Sequence, residues 1–310
     1  MHEFAIETEG LSKRYGGIAA VSDVDLAIPA GQFFGLLGPN GSGKTTTIHL
    51  LSSLIAPSAG EARVAGFDLR THRLAIRRSI GVVFQSPALD LSLSPAENLR
   101  FAARINGVPT RDIEARSREL LELFGLGSRR DAPAATLSGG MRRALDIARG
   151  VIHRPRILFL DEPTMGLDLV NRRAIWRHVA DLRAASNLTV FLTTHYLEEA
   201  FDCDAVAFLK AGSIVLRGHP GELVERLARY VVEIETDQPE EIERRLRPRL
   251  GAPRRSSERL EFLCDVEPGE VALLQGELGA AVRAVRWRRP NLDDVYLWVN
   301  EGRAPCAEAA

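Results

Sequence analysis

Lysine is nearly missing from this chain: Lys13, Lys44 and Lys210 are the only ones, although Lys+Arg total 40. The shortage makes Lys44 conspicuous, because it stands inside a glycine-rich segment. Cysteine is scarce too. Cys203, Cys264 and Cys306 are odd in number, widely spaced and without a CxxC, so neither a disulfide framework nor a cysteine-based zinc site is expected. That usage suits a reducing, cytosolic compartment. There is no excess of charge of either sign, with 40 Lys+Arg against 41 Asp+Glu. Electrostatic binding of nucleic acid by the chain as a whole is therefore not expected. Long apolar runs are absent. The longest, such as residues 157–160 and 190–192, are strand-sized and far short of the ~20 residues a membrane span needs. The opening MHEFAIETEG carries charge where a signal peptide needs an apolar stretch. If the protein serves a membrane process, another polypeptide is expected to supply the spans.

At 310 residues the chain has length for one large domain or two ordinary ones. Residues 4–7 and 24–28 alternate like strands, and the apolar run 33–37 leads straight into Gly38. Residues 45–54 are helix-like and end near Pro57. Residues 80–84, 157–160 and 189–193 read as buried strands, and 94–126 as helical. Strands alternating with helices imply an α/β fold with a parallel sheet between helical layers. The composition shifts near 218–229. Beyond it, strand-like segments (230–236, 260–266, 282–287) intersperse with helical ones (240–250, 270–278, 291–299), a small α+β extension. The expected organisation is 1–225, with a helical subdomain at about 86–150, then 226–302, then a disordered tail over 303–310.

Gly38-Pro39-Asn40-Gly41-Ser42-Gly43-Lys44-Thr45 fits the pattern G-x-x-x-x-G-K-[ST] and is followed by Thr46. Glycines let the backbone fold until its N–H groups converge on phosphate oxygens, and the helix that follows adds its positive end. In such a loop the lysine reaches the β- and γ-phosphates and the threonine hydroxyl binds Mg²⁺. Asp161 and Glu162 end an apolar strand, where ligands sit in open α/β sheets. An acidic pair alone equally suits a plain loop start. Beside a phosphate loop it suits metal binding by Asp161 and polarisation of water by Glu162. His195 follows residues 190–193 in the same way. A lone histidine is more often structural, but this placing suits a bond to the γ-phosphate. Gln85, after Val82-Val83-Phe84, means little by itself; in this set it suits orienting water or touching Mg²⁺.

Between these segments stands Leu137-Ser138-Gly139-Gly140-Met141, followed by a helical stretch. With it, residues 3 to about 225 resemble the nucleotide-binding subunit of an ABC transporter. The resemblance implies a P-loop NTPase core with a mixed or parallel sheet, an antiparallel β subdomain and a helical subdomain. It implies that Tyr15 stacks on adenine, that Gly38 through Thr46 form Walker A, and that Gln85 begins the Q-loop. Residues 137–141 match the signature, Asp161 and Glu162 close Walker B, Gly166-Leu167-Asp168 match the D-loop and His195 the H-loop. Catalysis is then assigned to Glu162, His195 and Gln85, and Mg²⁺ to Thr45, Gln85 and Asp161. ATP falls to Tyr15, the Walker A residues, Ser138, Gly139, Gly140 and Asp168. The signature serves the ATP of a second copy, so a homodimer or paired ATPase subunit is implied. A polytopic permease and a peripheral place on the cytoplasmic face of the membrane go with it.

Two small departures stand out, and the first bears on the transporter subtype. Met141 replaces the commoner Gln, and Thr164-Met165 stand where Ser-Ala is usual. The run Gly139 to Asp146 and the segment 290–297 are similar to the daunorubicin-type and nodulation-factor-type exporter ATPases. An exporter of a drug-like, glycolipid or polysaccharide-type substrate is the expectation. An importer ATPase, or a soluble ABC ATPase of DNA repair or translation, are the alternatives; one P-loop and a short span from Gln85 to Leu137 stand against the second. The helical stretch 94–103 reads as the surface meeting the permease, or as an amphipathic helix packed on its own domain. Arg286-Trp287-Arg288-Arg289 could suit nucleic acid, but a strand edge or solvated turn is the simpler reading. Arg142 and Arg143 are expected to face solvent or the membrane subunit.

Overall fold

The computed structural model describes residues 3–301 except Ser257 and Glu267, so the expected tail at 303–310 lies outside the described residues. Two compact units divide the chain, Met1–Arg217 and Gly218–Ala310. The division falls before the helix Pro220–Leu227, whereas the expected boundary at 225/226 falls inside that helix.

In chain order the first unit contains β1 (Phe4–Tyr15), β2 (Ile18–Pro29), β3 (Phe33–Leu37), α1 (Lys44–Leu51), β4 (Ala59–Val64) and β5 (Phe67–Asp68). Then come α2 (Arg73–Ser79), β6 (Ile80–Val83), α3 (Pro95–Ile105), α4 (Thr110–Leu123), α5 (Gly139–Val151) and β7 (Ile157–Asp161). It closes with α6 (Leu169–Ala185), β8 (Thr189–Thr194), α7 (Leu197–Ala200), β9 (Ala205–Lys210) and β10 (Ser213–Gly218). A six-stranded sheet runs β10-β9-β3-β8-β7-β6, and the neighbours from β9 to β6 pair in parallel. A second sheet, β2-β1-β4-β5, is antiparallel.

β3, β7 and β8 are buried along their whole length, as uninterrupted apolar runs in a two-sided parallel sheet must be. Of the polar exceptions, Thr189 opens β8, while Asp161, Thr193 and Thr194 sit at strand C-termini. α1 lies between the two sheets: Ile48, Leu50 and Leu51 share one core with Ile6 and Leu11 of β1 and with Leu36, Phe159 and Phe191 of the parallel sheet. The Phe191 ring stands 5.4 Å from both Phe34 and Phe159. Burying each of these rings contributes roughly 1.5–3 kcal/mol, which anchors the strands whose ends carry the site.

The stretch read as one helical region, 94–126, is two helices. α3 opens on a capping box, with Ser94 and Glu97 bonding each other's backbone N–H and Pro95 at the first turn. It stops before Gly107, whose φ of +74° no helix accepts, and Pro109 then stands at the N-cap of α4. α3 packs on both α4 and α5.

The second unit holds α8 (Pro220–Leu227), β11 (Tyr230–Glu235), α9 (Pro239–Leu250), β12 (Arg254–Ser256), β13 (Arg259–Cys264), α10 (Pro268–Leu278), β14 (Ala284–Arg288) and α11 (Leu292–Asn300). Its antiparallel sheet runs β12-β13-β11-β14. One face supplies Val232, Ile234, Leu260 and Phe262 to a core completed by Ile242 and Leu246 of α9. The other carries ion pairs. Arg288 bonds Glu233 at 2.8 Å and Asp294 at 2.6 Å, and these carboxylates hold its guanidinium above the usual arginine range. Trp287 meets Tyr230 edge-on at 5.4 Å. The basic-aromatic cluster is thus an edge strand with Arg288 turned to the chain's own acids, the simpler of its two readings.

Candidate active site

β3 delivers the chain into Gly38. A Cβ at Gly38 would lie 2.3 Å from the Leu209 carbonyl oxygen, and one at Gly43 2.3 Å from that of Ala20. Gly43 also has a φ of +111°, so the loop tolerates a side chain at neither position. α1 begins with no side-chain cap and no acidic residue in its first turn. Its leading N–H groups are thus uncommitted to any side-chain acceptor, as an anion site requires. Ser42 Oγ is buried without a hydrogen-bond partner, an orphaned donor within the same loop. The cradle fits a phosphate.

Lys44 is 5 % exposed. Its Nζ donates to the carbonyls of Gly38 at 2.8 Å and Pro39 at 3.2 Å, and lies 3.6 Å from Glu162 Oε1. Burial pushes its ammonium below the ordinary lysine range, while the Glu162 and Asp161 carboxylates push back. Thr45 Oγ1 donates to Asp161 Oδ1 at 3.2 Å, and Thr193 Oγ1 donates to the same oxygen at 2.5 Å. Asp161 and Thr193 are register partners of the parallel β7–β8 pair, which is what places them side by side. Glu162 leaves the strand with a φ of +46°. Its N–H donates to the Thr193 carbonyl at 3.0 Å, and its Oε2 lies 3.2 Å from His195 Nδ1. The His195 ring packs on Tyr196 at 4.2 Å.

So Lys44, Thr45, Asp161, Glu162 and His195 converge from the C-terminal ends of β3, β7 and β8. Among the described residues no group of three or more His, Cys, Asp and Glu side chains could hold a metal by itself. Thr45 and Asp161 offer two neighbouring oxygens, which suits Mg²⁺, an ion that keeps waters and shares its coordination with substrate phosphates. Gln85 stands at the end of β6, exposed, with Nε2 3.0 Å from Met165 Sδ. Tyr15 is half exposed at the end of β1, with Lys13 Nζ 5.2 Å above its ring.

Ser138, Gly139 and Gly140 do not join this cluster: among the described residues none has a hydrogen bond to the phosphate loop, Asp161, Glu162 or His195. Ser138 caps α5, its Oγ accepting from Met141 N at 3.3 Å. Asp168 likewise caps α6, accepting from Asn171 N at 2.9 Å and Nδ2 at 2.6 Å, bonds that hold its carboxyl below the usual range. The two caps meet. A Cβ on Gly140 would fall 2.3 Å from Asn171 Oδ1, so the signature glycine and the Asp168 turn form one contact surface.

Residues 21–165 match the ABC transporter family. Over 305 residues, 94 % of this chain and 91 % of the relative, the chain is 40 % identical to the daunorubicin/doxorubicin resistance ATP-binding protein DrrA of Streptomyces peucetius. The chain belongs to the ABC transporter family. It is also 39 % identical to the Nod factor export ATP-binding protein I of Rhizobium johnstonii, covering 94 % of each chain. Among solved structures, cbiO1 from Clostridium perfringens, part of the ABC transporter complex cbiONQ, aligns with a TM-score of 0.68 at 27 % identity, over 80 % of this chain and 96 % of that one. A dimeric post-hydrolysis state of the ATP-binding cassette MJ0796 with ADP and Pi aligns at 0.63 with 26 % identity, over 69 % and 98 %. The protein is an ATP-binding, ATP-hydrolysing ABC subunit of the kind coupled to transport, homologous to drug and Nod factor exporter ATPases. No helix among the described residues is long and apolar enough to cross a membrane.

Within this ABC ATPase three residues escaped the sequence reading. Thr193 seemed only part of an apolar strand. Asn171 gave no signal, being an ordinary first-turn residue of α6. Arg143 corrects an expectation: it is 4 % exposed and faces neither solvent nor a partner. Burial pushes its guanidinium below the ordinary value, with the Asp146 and Asp161 carboxylates opposing. The clue was its spacing, since Gly140, Arg143, Ala144, Ile147, Ala148 and Val151 make up one buried face of α5.

Proposed function

We propose that two copies of this chain sandwich two ATP molecules and that hydrolysis resets an exporter whose membrane-spanning part is a separate permease. The observation that carries this reading is the division of the motifs. Lys44, Thr45, Asp161, Glu162 and His195 meet in one cluster, whereas Ser138, Gly139 and Gly140 of the same chain stand outside it. A signature that cannot complete its own site is available to a partner's.

In this reading Tyr15 stacks on adenine, and the backbone N–H groups of Gly38 through Thr46 bind the phosphates with Lys44. Thr45, Asp161 and Gln85 hold Mg²⁺, which supplies neutralisation of phosphate charge when bound. Glu162 orients and polarises the attacking water, and His195, 3.2 Å from it, bonds the γ-phosphate side of the site. From the second copy, Ser138, Gly139 and Gly140 present the start of α5, and Asp168 lines the seam. Leu169 and Val170, beside Asp168, are 53 % and 78 % exposed, apolar surface that a second copy would cover.

In this reading the permease docks on α3. Phe101 and Ile105 are 60 % and 69 % exposed there, beside a groove of about 320 Å³ lined also by Leu54, Phe84, Ala102 and Arg149. In this reading the chain works as a peripheral subunit on the cytoplasmic face of the membrane. The two export-related relatives support a drug-like, glycolipid or polysaccharide-type cargo. The test is Glu162→Gln: ATP binding stays while turnover falls at least ~100-fold. Near-normal hydrolysis in that variant would remove Glu162 from its role.

A further inference from the structure

Arg143 sits one turn into α5, immediately behind the signature glycines, and points into the protein. Its Nη1 donates to the Phe84 carbonyl at 2.6 Å. Its Nη2 donates to the Gln85 carbonyl at 2.9 Å and the Glu162 carbonyl at 3.2 Å. One guanidinium therefore holds backbone from both the loop of Gln85 and the turn of Glu162. Beneath it Asp146 Oδ2 lies 3.6 Å from Nη1, and Asp146 Oδ1 accepts from Arg149 at 2.9 Å. The planar fork of arginine makes such divergent bonds possible; a lysine ammonium is a point donor on a flexible stem.

Glu162 needs such a hold. Its φ of +46° is a left-handed conformation that a non-glycine residue keeps only where its surroundings enforce it. Bonds on both sides of the residue enforce it here. The Glu162 N–H donates to the Thr193 carbonyl and hydroxyl, and the Glu162 carbonyl accepts from Arg143 and from the Met165 N–H.

We propose that Arg143 is a positioning residue that ties Gln85 and Glu162 to the signature helix, so that the carboxylate of one ATP site is set by the helix whose tip grips the other site's ATP. The inference rests on the reading above, in which Glu162 polarises water and residues 138–140 face a second copy. α5 is one continuous helix from Gly139 to Val151, so a shift at its tip carries Arg143 and the carbonyls bonded to it. Arg143 touches no nucleotide in this account and acts through Glu162.

Two full-length variants test this, each measured for steady-state ATP hydrolysis, for affinity toward a fluorescent ATP analogue, and for thermal midpoint. Arg143→Lys keeps a charge beside Asp146 but cannot span both loops. Its turnover should fall ~10- to 100-fold, the loss expected of a misplaced catalytic group. Analogue affinity should stay within about twofold, because the phosphate loop is untouched. The double variant Arg143→Met with Asp146→Leu replaces the buried pair by apolar side chains, an exchange that often preserves stability. Its midpoint should return near the wild-type value while its turnover stays low. Wild-type turnover in Arg143→Lys, or recovery of both midpoint and turnover in the double variant, would make Arg143 merely structural and overturn the proposal. If the double variant does not fold, the Arg143→Lys split between turnover and affinity decides alone. Failure of the underlying reading looks different: Glu162→Gln would keep near-normal hydrolysis, or Ser138→Arg would leave ATP-dependent pairing intact.

Discussion

Nζ of Lys44 stands 3.6 Å from Oε1 of Glu162, a phosphate-binding cation beside the carboxylate assigned to water. The ammonium also donates to the Gly38 and Pro39 carbonyls, which hold it within the loop. A phosphate entering the cradle offers Lys44 a better acceptor and leaves Glu162 free to bond water. The prediction is that Lys44→Ala weakens ATP binding at least ~100-fold, since a charge-assisted contact and a cradle-forming donor are lost together. Titration with a fluorescent nucleotide measures it. Affinity within a few-fold of wild type would place the phosphates elsewhere.

Thr193→Val removes the donor that meets Asp161 Oδ1 at 2.5 Å while keeping the side chain's shape. The buried carboxylate is left with Thr45 alone among these hydroxyls. Unfolding free energy from urea titration should drop by ~1–3 kcal/mol, and Thr193→Ser should recover most of it. The Mg²⁺ concentration needed for half-maximal hydrolysis should rise in the valine variant. Unchanged stability and Mg²⁺ dependence would mean that the hydroxyl positions nothing.

These two predictions mark where sequence reading succeeded and where it stopped. Lys44, Thr45, Asp161, Glu162 and His195 were legible because each motif is contiguous and its chemistry prescribes neighbours along the chain. Thr193 was not, because its partner lies 32 residues away and depends on the β7–β8 register. Arg143 was hidden for the same reason: the Phe84 carbonyl is 59 residues distant, and a run of two arginines looks like solvated surface. In the fold, continuous apolar strands such as β3 were plain. The twelve-residue β1 showed only its first residues, because register shifts between Thr8 and Leu11 and again before Lys13 break its alternation. The helical stretch 94–126 concealed the break at Gly107 and Pro109, since apolar periodicity resumes on its far side.

Stability should also depend on pH through His153. Its Nε2 bonds the Ile80 carbonyl at 2.9 Å, and burial pushes the imidazole below its ordinary value. The folded state thus resists a proton that the unfolded chain accepts at about pH 6.5. The histidine's contribution is present above that pH and is lost as pH falls through 6.5 toward the depressed folded value. His178, also pushed down by burial, acts in the same direction. Thermal midpoints recorded from pH 8 to pH 5 should fall on the acid side, and His153→Gln should flatten part of the fall. A midpoint independent of His153 across that range would contradict the buried neutral ring.

The central claim is that Ser138, Gly139 and Gly140 complete a site belonging to a second copy. Light scattering of Glu162→Gln, with and without saturating Mg²⁺-ATP, measures it most directly. The mass should double on adding ATP. It should stay that of one copy when Ser138→Arg is added, with ATP affinity of the single copy within about twofold, because Ser138 lies outside the chain's own cluster. A Glu162→Gln chain that saturates with ATP yet remains a single copy, or a Ser138→Arg variant that pairs as readily, would contradict the account.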